Sequence, residues 1–267
     1  MEHVIMLGTG NATVTKCFNT CFALCSGEEY FLVDTGGGNG ILTQLEKAGI
    51  PLERIHEIFV SHEHTDHLLG LIWLIRMTAT RMKQGTYENN LNIYCHADLI
   101  DTIMTIARLT VQEKFFQYIG DRILLHPVYD GEERDIMGYP VTFFDIRSTK
   151  AKQFGFTTRL ANGKKFTFLG DEPYRETEFQ YADQADWLLH ETFCLYSQRD
   201  IFKPYEKHHT TVKEACETAR RLQAVNLILY HTEDKNIADR KRLYTEEGRQ
   251  YYDGHLYVPD DLEKIIL

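Results

Sequence analysis

Seven consecutive residues constrain this chain more than any other feature: Ser61-His62-Glu63-His64-Thr65-Asp66-His67, directly after the short strand-like run Ile55–Val60. Three imidazoles and two carboxylates at a strand end are costly to place without a purpose. Their common use at this density is metal binding, because neutral imidazole and carboxylate oxygen both suit zinc and its neighbours. In a loop past the strand, His62 and His64 can point one way while Asp66 and His67 turn toward a second ion. A solvated polar turn would account for a lone histidine, but not for H-x-H-x-D-H.

The rest of the chain frames that cluster. Runs with strand character fall at His3–Leu7, Thr20–Cys25, Tyr30–Val33, Leu91–Cys95, Arg122–Pro127, Val141–Ile146, Phe154–Leu160, Lys164–Leu169, Trp187–His190 and Leu227–Tyr230. Helical spacing predicts helices near Ile41–Ala48, Leu68–Met82, His96–Leu109, Thr210–Leu222 and Ile237–Glu247. Strands in two groups, each followed by helices, suit an α/β fold of four layers, an αββα sandwich with two mixed sheets packed face to face and helices outside. No linker, low-complexity stretch or internal repeat marks a boundary, so residues 1–267 are expected to form one domain.

Composition excludes several classes. No run approaches the roughly 18–20 apolar residues of a membrane span, and the N-terminus lacks the basic and apolar segments of a secretory signal. Six cysteines in 267 residues, with no C-x-x-C pair, are too sparse for a disulfide scaffold. The four-residue spacing of Cys17, Cys21 and Cys25 reads as a buried strand rather than an iron–sulfur site, and the expected compartment is the reducing cytoplasm. The formal charge of −10 opposes nucleic acid at long range, so RNA binding would need a local basic patch or metal ions.

These motifs carry a resemblance. H-x-H-x-D-H is the signature of the metallo-β-lactamase superfamily, and the wider pattern is similar to the ribonuclease Z group, which matures tRNA 3′ ends. Leu7-Gly8-Thr9-Gly10 resembles that group's opening turn, and Phe31-Leu32-Val33-Asp34 its next strand. Leu169-Gly170-Asp171, Leu188–Phe193, His209-Thr210-Thr211 and Leu227–His231 resemble its later motifs. The resemblance implies two zinc ions, with manganese or iron as alternatives: His62, His64 and Asp171 at one, Asp66, His67, Asp171 and His231 at the other. The ions would lower the pKa of a water toward neutrality. Asp66 would orient that water or take its proton, and His209 would be the general acid for the leaving oxygen. His208 is the weaker of the two neighbouring histidines, because His209 is the one that aligns. His190 reads as a supporting or structural residue. Either threonine at 210–211 could simply cap a helix.

Two departures from the family pattern follow. The histidine that the family adds to metal one has no counterpart in Asp145–Phe156; Arg147 is the residue expected at the vacancy, where it could hold a phosphate oxygen but not a zinc ion. The glycine- and proline-rich arm that grips tRNA is also missing, since 156–171 leaves room for only a tight hairpin. The segment Thr80–Asn92, with Arg81 and Lys83, is a different candidate for lining the site.

The expected function is therefore a metal-dependent hydrolase, a phosphodiesterase resembling ribonuclease Z but without its arm, acting on a phosphodiester or other small molecule, with tRNA in doubt. One alternative is a small-molecule hydrolase of a cyclic phosphodiester, lactone or thioester. Another is a metal-impaired binding or regulatory protein. The family's frequent dimers make a homodimer an expectation.

Overall fold

The computed structural model describes residues 2–267. Its elements run β1 (His3–Gly8), β2 (Cys21–Ser26), β3 (Glu29–Val33), α1 (Gly40–Ala48), β4 (Ile55–Phe59), α2 (Thr65–Gln84), β5 (Leu91–His96), α3 (Ala97–Thr110), α4 (Glu113–Phe116) and β6 (Ile123–Val128). There follow β7 (Glu133–Ile136), β8 (Tyr139–Asp145), β9 (Phe154–Arg159), β10 (Lys165–Phe168), α5 (Phe179–Ala182), β11 (Trp187–Glu191), α6 (Arg199–Phe202), α7 (Val212–Arg221), β12 (Asn226–Tyr230), α8 (Arg240–Gly248), β13 (His255–Tyr257) and β14 (Glu263–Ile266).

Two compact units emerge, one from residues 1–8, 19–129 and 262–267, the other from 9–18 and 130–261. The first holds a seven-stranded sheet in the order β14-β1-β2-β3-β4-β5-β6. Its β14–β3 half is antiparallel, while β3 through β6 run parallel, joined by helices. The second holds β13-β12-β11-β10-β9-β8-β7, antiparallel from β7 to β10 and parallel from β10 to β13. Each unit is thus a mixed sheet with its own helices, as the α/β reading expects.

The burial of the strands explains why most of them are legible. In β2 five of six residues are buried, and in β12 all five. A strand covered on both faces reads as a continuous apolar run. In the second unit the inward stripe of α7, Val212, Ala215, Cys216 and Ala219, packs with Leu188, Leu227 and Leu229 in one apolar cluster. Truncating one such leucine to alanine costs about 2–5 kcal/mol. The helix starts at a capping box: the Glu214 carboxylate accepts the Thr211 N–H at 2.8 Å and its hydroxyl.

Three strands have no apolar signature in the sequence. β7 (ERDI), β13 (HLY) and β14 (EKII) are edge strands carrying exposed polar residues, as edges commonly do. The larger correction concerns α2. It begins at Thr65, three residues before its apolar spacing, so Asp66 and His67 lie in the first helical turn rather than in a loop. The acidic Asp66 also suits the positive end of the helix dipole. From His67 to Arg81 the helix rises about 21 Å. Arg81 pairs with Glu53 at 3.2 Å, and the following Tyr87 is buried with its hydroxyl donating to the Ile55 carbonyl at 2.6 Å. The Thr80–Asn92 segment therefore lies against the start of β4, whereas the histidines follow its other end.

Among the described residues no helix is long and apolar enough to cross a membrane. All six cysteines are free. Cys21 and Cys25 are buried on β2, while Cys17 lies outside it and is half-buried. Burial pushes the Cys25 thiol up to about 12 and that of Cys17 to about 11, so neither is a ready thiolate ligand or nucleophile.

Candidate metal centre

The histidine cluster of the first unit is built around Asp34. That residue ends the β3 strand in a left-handed conformation, φ 57°, which favours the small polar side chains. Its Oδ1 accepts the Ser61 backbone N–H at 2.8 Å, and its Oδ2 lies 2.7 Å from Nδ1 of His67. Both partners are fully buried. An ionised carboxylate only accepts, so Nδ1 of His67 carries the proton and Nε2 presents its lone pair, as a metal ligand requires. The Ser61 hydroxyl donates to Asp34 at 2.8 Å, and its oxygen sits 2.9 Å from Nδ1 of His62.

The helix is locked to the same strand end. The Thr35 N–H and hydroxyl both donate to the His67 carbonyl, at 2.9 and 2.7 Å. A Cβ at Gly70 would stand 1.9 Å from the Thr35 carbonyl oxygen. Glycine alone permits that approach.

Around this frame the four side chains converge. Nε2 of His62 is 2.9 Å from Nδ1 of His64, and Nε2 of His67 is 3.2 Å from Oδ2 of Asp66. The His62 and His67 rings are 4.2 Å apart. His62 and His67 are buried, Asp66 is 5% exposed and His64 is half-buried.

In the second unit Asp171, Glu191, His209 and His231 each bring one donor atom into a buried group within 4.8 Å. Asp171 follows β10; its N–H donates to Oε1 of Gln153 at 3.0 Å, and the Tyr230 hydroxyl donates to the carbonyl of Gly170. His231 ends β12 in a left-handed conformation, φ 61°, with Nδ1 2.9 Å from Oδ1 of Asp171. A left-handed histidine is uncommon and costs about 1–3 kcal/mol, a strain that clusters at functional sites. His209 sits three residues before α7, with Nδ1 3.3 Å from Glu191 and 3.9 Å from Asp171. Glu191 is fully buried and also accepts the Thr210 N–H at 2.6 Å.

The donors fit a metal. Tetrahedral bonds of about 2.0–2.1 Å leave ligand atoms about 3.4 Å apart. The separations of 2.9, 3.2 and 2.9 Å within the two units lie a few tenths below that. A mixed imidazole and carboxylate set suits zinc, manganese or iron.

Three further residues are placed differently from one another. His190 is fully buried, its Nδ1 2.7 Å from the Glu191 carbonyl, and burial pushes its pKa down, which favours the neutral ring. His208 is exposed, 2.9 Å from the Thr149 hydroxyl. Arg147 is an exposed left-handed residue, φ 57°, whose guanidinium pairs with Asp130 at 2.6 Å and Asp145 at 3.3 Å. The residue of that stretch that bonds to Asp171 is Gln153, fully buried, rather than Arg147. Asp34, Ser61 and Glu191 also hold histidines of the cluster in place, without being ligand candidates in the sequence. Asp34 and Glu191 stood inside quoted motifs; nothing in one sequence marks Gln153.

Residues 2–250 match the family described as the anti-Pycsar protein Apyc1. The chain is 30% identical to ribonuclease Z of Pyrococcus abyssi over 314 aligned positions, covering 100% of this chain and 96% of that protein. Among solved structures, the metallo-β-lactamase fold protein YhfI of Bacillus subtilis superposes with a TM-score of 0.79 at 18% identity, over 98% of both chains. Human tRNase Z, short form, does so with 0.75 at 23%, over 99% of this chain and 98% of that one.

Proposed function

The chain belongs to the anti-Pycsar protein Apyc1 family, a ribonuclease Z-like branch of the metallo-β-lactamase superfamily and thus a metal-dependent hydrolase, and we propose that it is a phosphodiesterase acting on a small phosphodiester rather than on tRNA. The observation that carries this reading is the buried group of Asp171, Glu191, His209 and His231: a ligand pair with a proton-transfer histidine beside it. In the proposal His62, His64 and Asp171 hold one zinc ion, and Asp66, His67, Asp171 and His231 hold a second. Bound metal supplies Lewis acidity toward water and the phosphoryl oxygens.

The chain's own groups supply the rest. Asp66 orients the attacking water and takes its proton. His209 protonates the leaving oxygen, a contribution of about 10²–10⁴-fold, and Glu191, 3.3 Å from its Nδ1, holds the ring in place. Arg147 enters as a cation for the phosphate. Its two ion pairs are solvent-exposed and worth about 0–1 kcal/mol, so a phosphate can compete for it.

A small substrate is favoured by two features. The β9–β10 hairpin turns through residues 160–164, with no room for an RNA-gripping arm. The net charge of −10 works against a polyanion. The anti-Pycsar role of the family's namesake is part of the same proposal, as are a homodimer and a cytoplasmic location suited to six free cysteines. Residues 1–267 are proposed as one domain because the chain passes between the two units four times, after residues 8, 18, 129 and 261.

The test is turnover by zinc-loaded protein of bis(p-nitrophenyl) phosphate, 3′,5′-cyclic nucleotides and precursor tRNA. Metal-dependent hydrolysis of the small diesters, with tRNA left intact, is expected. Inert diesters with full metal loading would overturn the reading in favour of a lactone or thioester.

A further inference from the structure

The residue after Asp171 is a second acid that the hydrolytic steps do not use. Glu172 is 1% exposed. A carboxylate is almost never buried unless it is paired, and two partners of this one come from a single loop. The Ser148 hydroxyl donates to its Oε1 at 2.6 Å, and the Thr149 N–H donates to its Oε2 at 3.2 Å. The Arg175 guanidinium stands 3.5 Å from Oε2. We propose that Glu172 is a positioning residue: it pins the loop of residues 146–153 so that the cations of that loop meet the phosphoryl group of the substrate, an inference that rests on the phosphodiesterase reading above.

The loop joins β8 to β9, and its base is closed by the Ile146 N–H donating to the Gln153 carbonyl at 3.1 Å. Between those two residues no helix or strand forms, and Arg147, Thr149, Lys150 and Lys152 are exposed. A segment with so little burial opens readily unless something holds it. Its tip reaches the residues that precede His209. The Thr149 hydroxyl is 2.9 Å from Nδ1 of His208, and the Lys150 ammonium donates to the Lys207 carbonyl at 3.3 Å. His208 and Lys207 are themselves exposed, so water competes for those contacts. The anchor that water does not reach is Glu172.

Each side of that anchor needs the other. The buried carboxylate must keep its donors, because a buried charge that loses a partner is strongly destabilising. The donors in turn fix the backbone at 148–149. The Ser148 oxygen also accepts the Lys150 N–H at 3.1 Å, which carries the constraint one residue further.

What the pinned loop presents is positive charge. In a chain of net charge −10 an anionic substrate needs cations placed locally. Arg147 is shared with Asp130 and Asp145, whereas Lys150 gives its ammonium to a neutral carbonyl and keeps its charge. A loose loop must be ordered when the anion binds, which weakens binding; a pinned loop is ordered already. Glu172 itself is an anion. By Coulomb attraction alone its removal would strengthen phosphate binding, and by the positioning role its removal weakens it. The sign of the change separates the two.

The experiment is calorimetric binding of inorganic phosphate to the full-length zinc-loaded protein, beside limited trypsin digestion with the cuts after Arg147, Lys150 and Lys152 identified by mass. Glu172→Gln should weaken phosphate binding about tenfold, the scale of one lost charge-assisted hydrogen bond. It should also speed cleavage within the loop while zinc content stays parental. Ser148→Ala removes the same bond from the loop's side with no change of charge and should act in the same direction; it carries the test if Glu172→Gln does not fold. Phosphate binding that is unchanged or tighter in the folded variants would overturn the proposal. So would faster cleavage at parental phosphate affinity, or zinc lost in step with phosphate, which would make Glu172 a support of Asp171 alone. Weaker phosphate binding in the variants of a protein that hydrolyses no diester sinks the phosphodiesterase reading and leaves the pinned loop standing; diester hydrolysis with parental phosphate affinity in both variants does the reverse.

Discussion

Asp34→Asn should separate the metal site from the fold around it. The substitution preserves shape, and asparagine tolerates the left-handed φ of 57° at this position. What changes is one acceptor. In the parent Oδ1 takes the Ser61 N–H at 2.8 Å and Oδ2 faces Nδ1 of His67 at 2.7 Å, both in the dry interior. The amide has one oxygen and one NH₂, so it can serve only one of the two donors.

If its oxygen stays with Ser61, its NH₂ faces the ring. His67 must then move its proton to Nε2, the atom 3.2 Å from Asp66, and its metal lone pair is lost. Removing such a carboxylate partner costs about 10–100-fold in metal affinity, or roughly 1.4–2.7 kcal/mol. If the amide flips instead, His67 keeps its tautomer. The buried Ser61 N–H then faces another donor, and the fold loses about 1–3 kcal/mol.

Zinc competition against a chelating dye reads the first outcome, and denaturant unfolding of the metal-free protein reads the second. One of the two must fall. A variant with parental zinc affinity and parental stability would refute the assignment of Asp34 as the group that fixes His67.

Three other outcomes are expected. His209→Ala should lower kcat about 10²–10⁴-fold on substrates with poor leaving groups while zinc content holds, whereas His67→Ala should lose zinc; a His209→Ala enzyme with parental kcat removes that residue from proton transfer. Gly70→Ala sets a Cβ 1.9 Å from the Thr35 carbonyl, so the helix must shift; the penalty should exceed the roughly 1–3 kcal/mol of ordinary overpacking in chemical denaturation, and a variant as stable as the parent contradicts the close approach. Glu178, buried and pushed well above the usual carboxylate range by desolvation, has a folded pKa raised over the unfolded value of about 4.3. Its favourable contribution is complete below that value and is lost as pH rises toward the folded pKa. Glu178→Gln should therefore gain on the parent between pH 4.5 and pH 8 in parallel melts, and a constant difference across that range would show that Glu178 is not the titrating group.

Most of the core strands were legible because they are covered on both faces, and burial of that kind demands unbroken apolar runs such as Phe22–Cys25 and Leu227–Tyr230. The edge strands were not. β14 exists because Lys264 and Ile265 find Ile5 and Val4 across more than 250 residues, and no local pattern records a partner that distant. The start of α2 is hidden in the sequence for a related reason: its first turn carries Asp66 and His67, so the apolar spacing begins one turn late.

At the site, sequence by itself marked the side chains that are proposed to carry the chemistry. Imidazoles and carboxylates packed as in 62–67 have few other uses, and the motifs at Asp171, His209 and His231 have fixed neighbours along the chain. Only the tertiary structure decided how those groups are held. It put Asp34 beneath His67, Glu191 beside His209 and Gln153 against the Asp171 N–H, and it turned the Arg147 guanidinium out to Asp130 and Asp145. Ligand identity is a property of composition over a few residues, which one sequence records. Orientation depends on which distant donor meets which acceptor, and that is settled only when the chain folds.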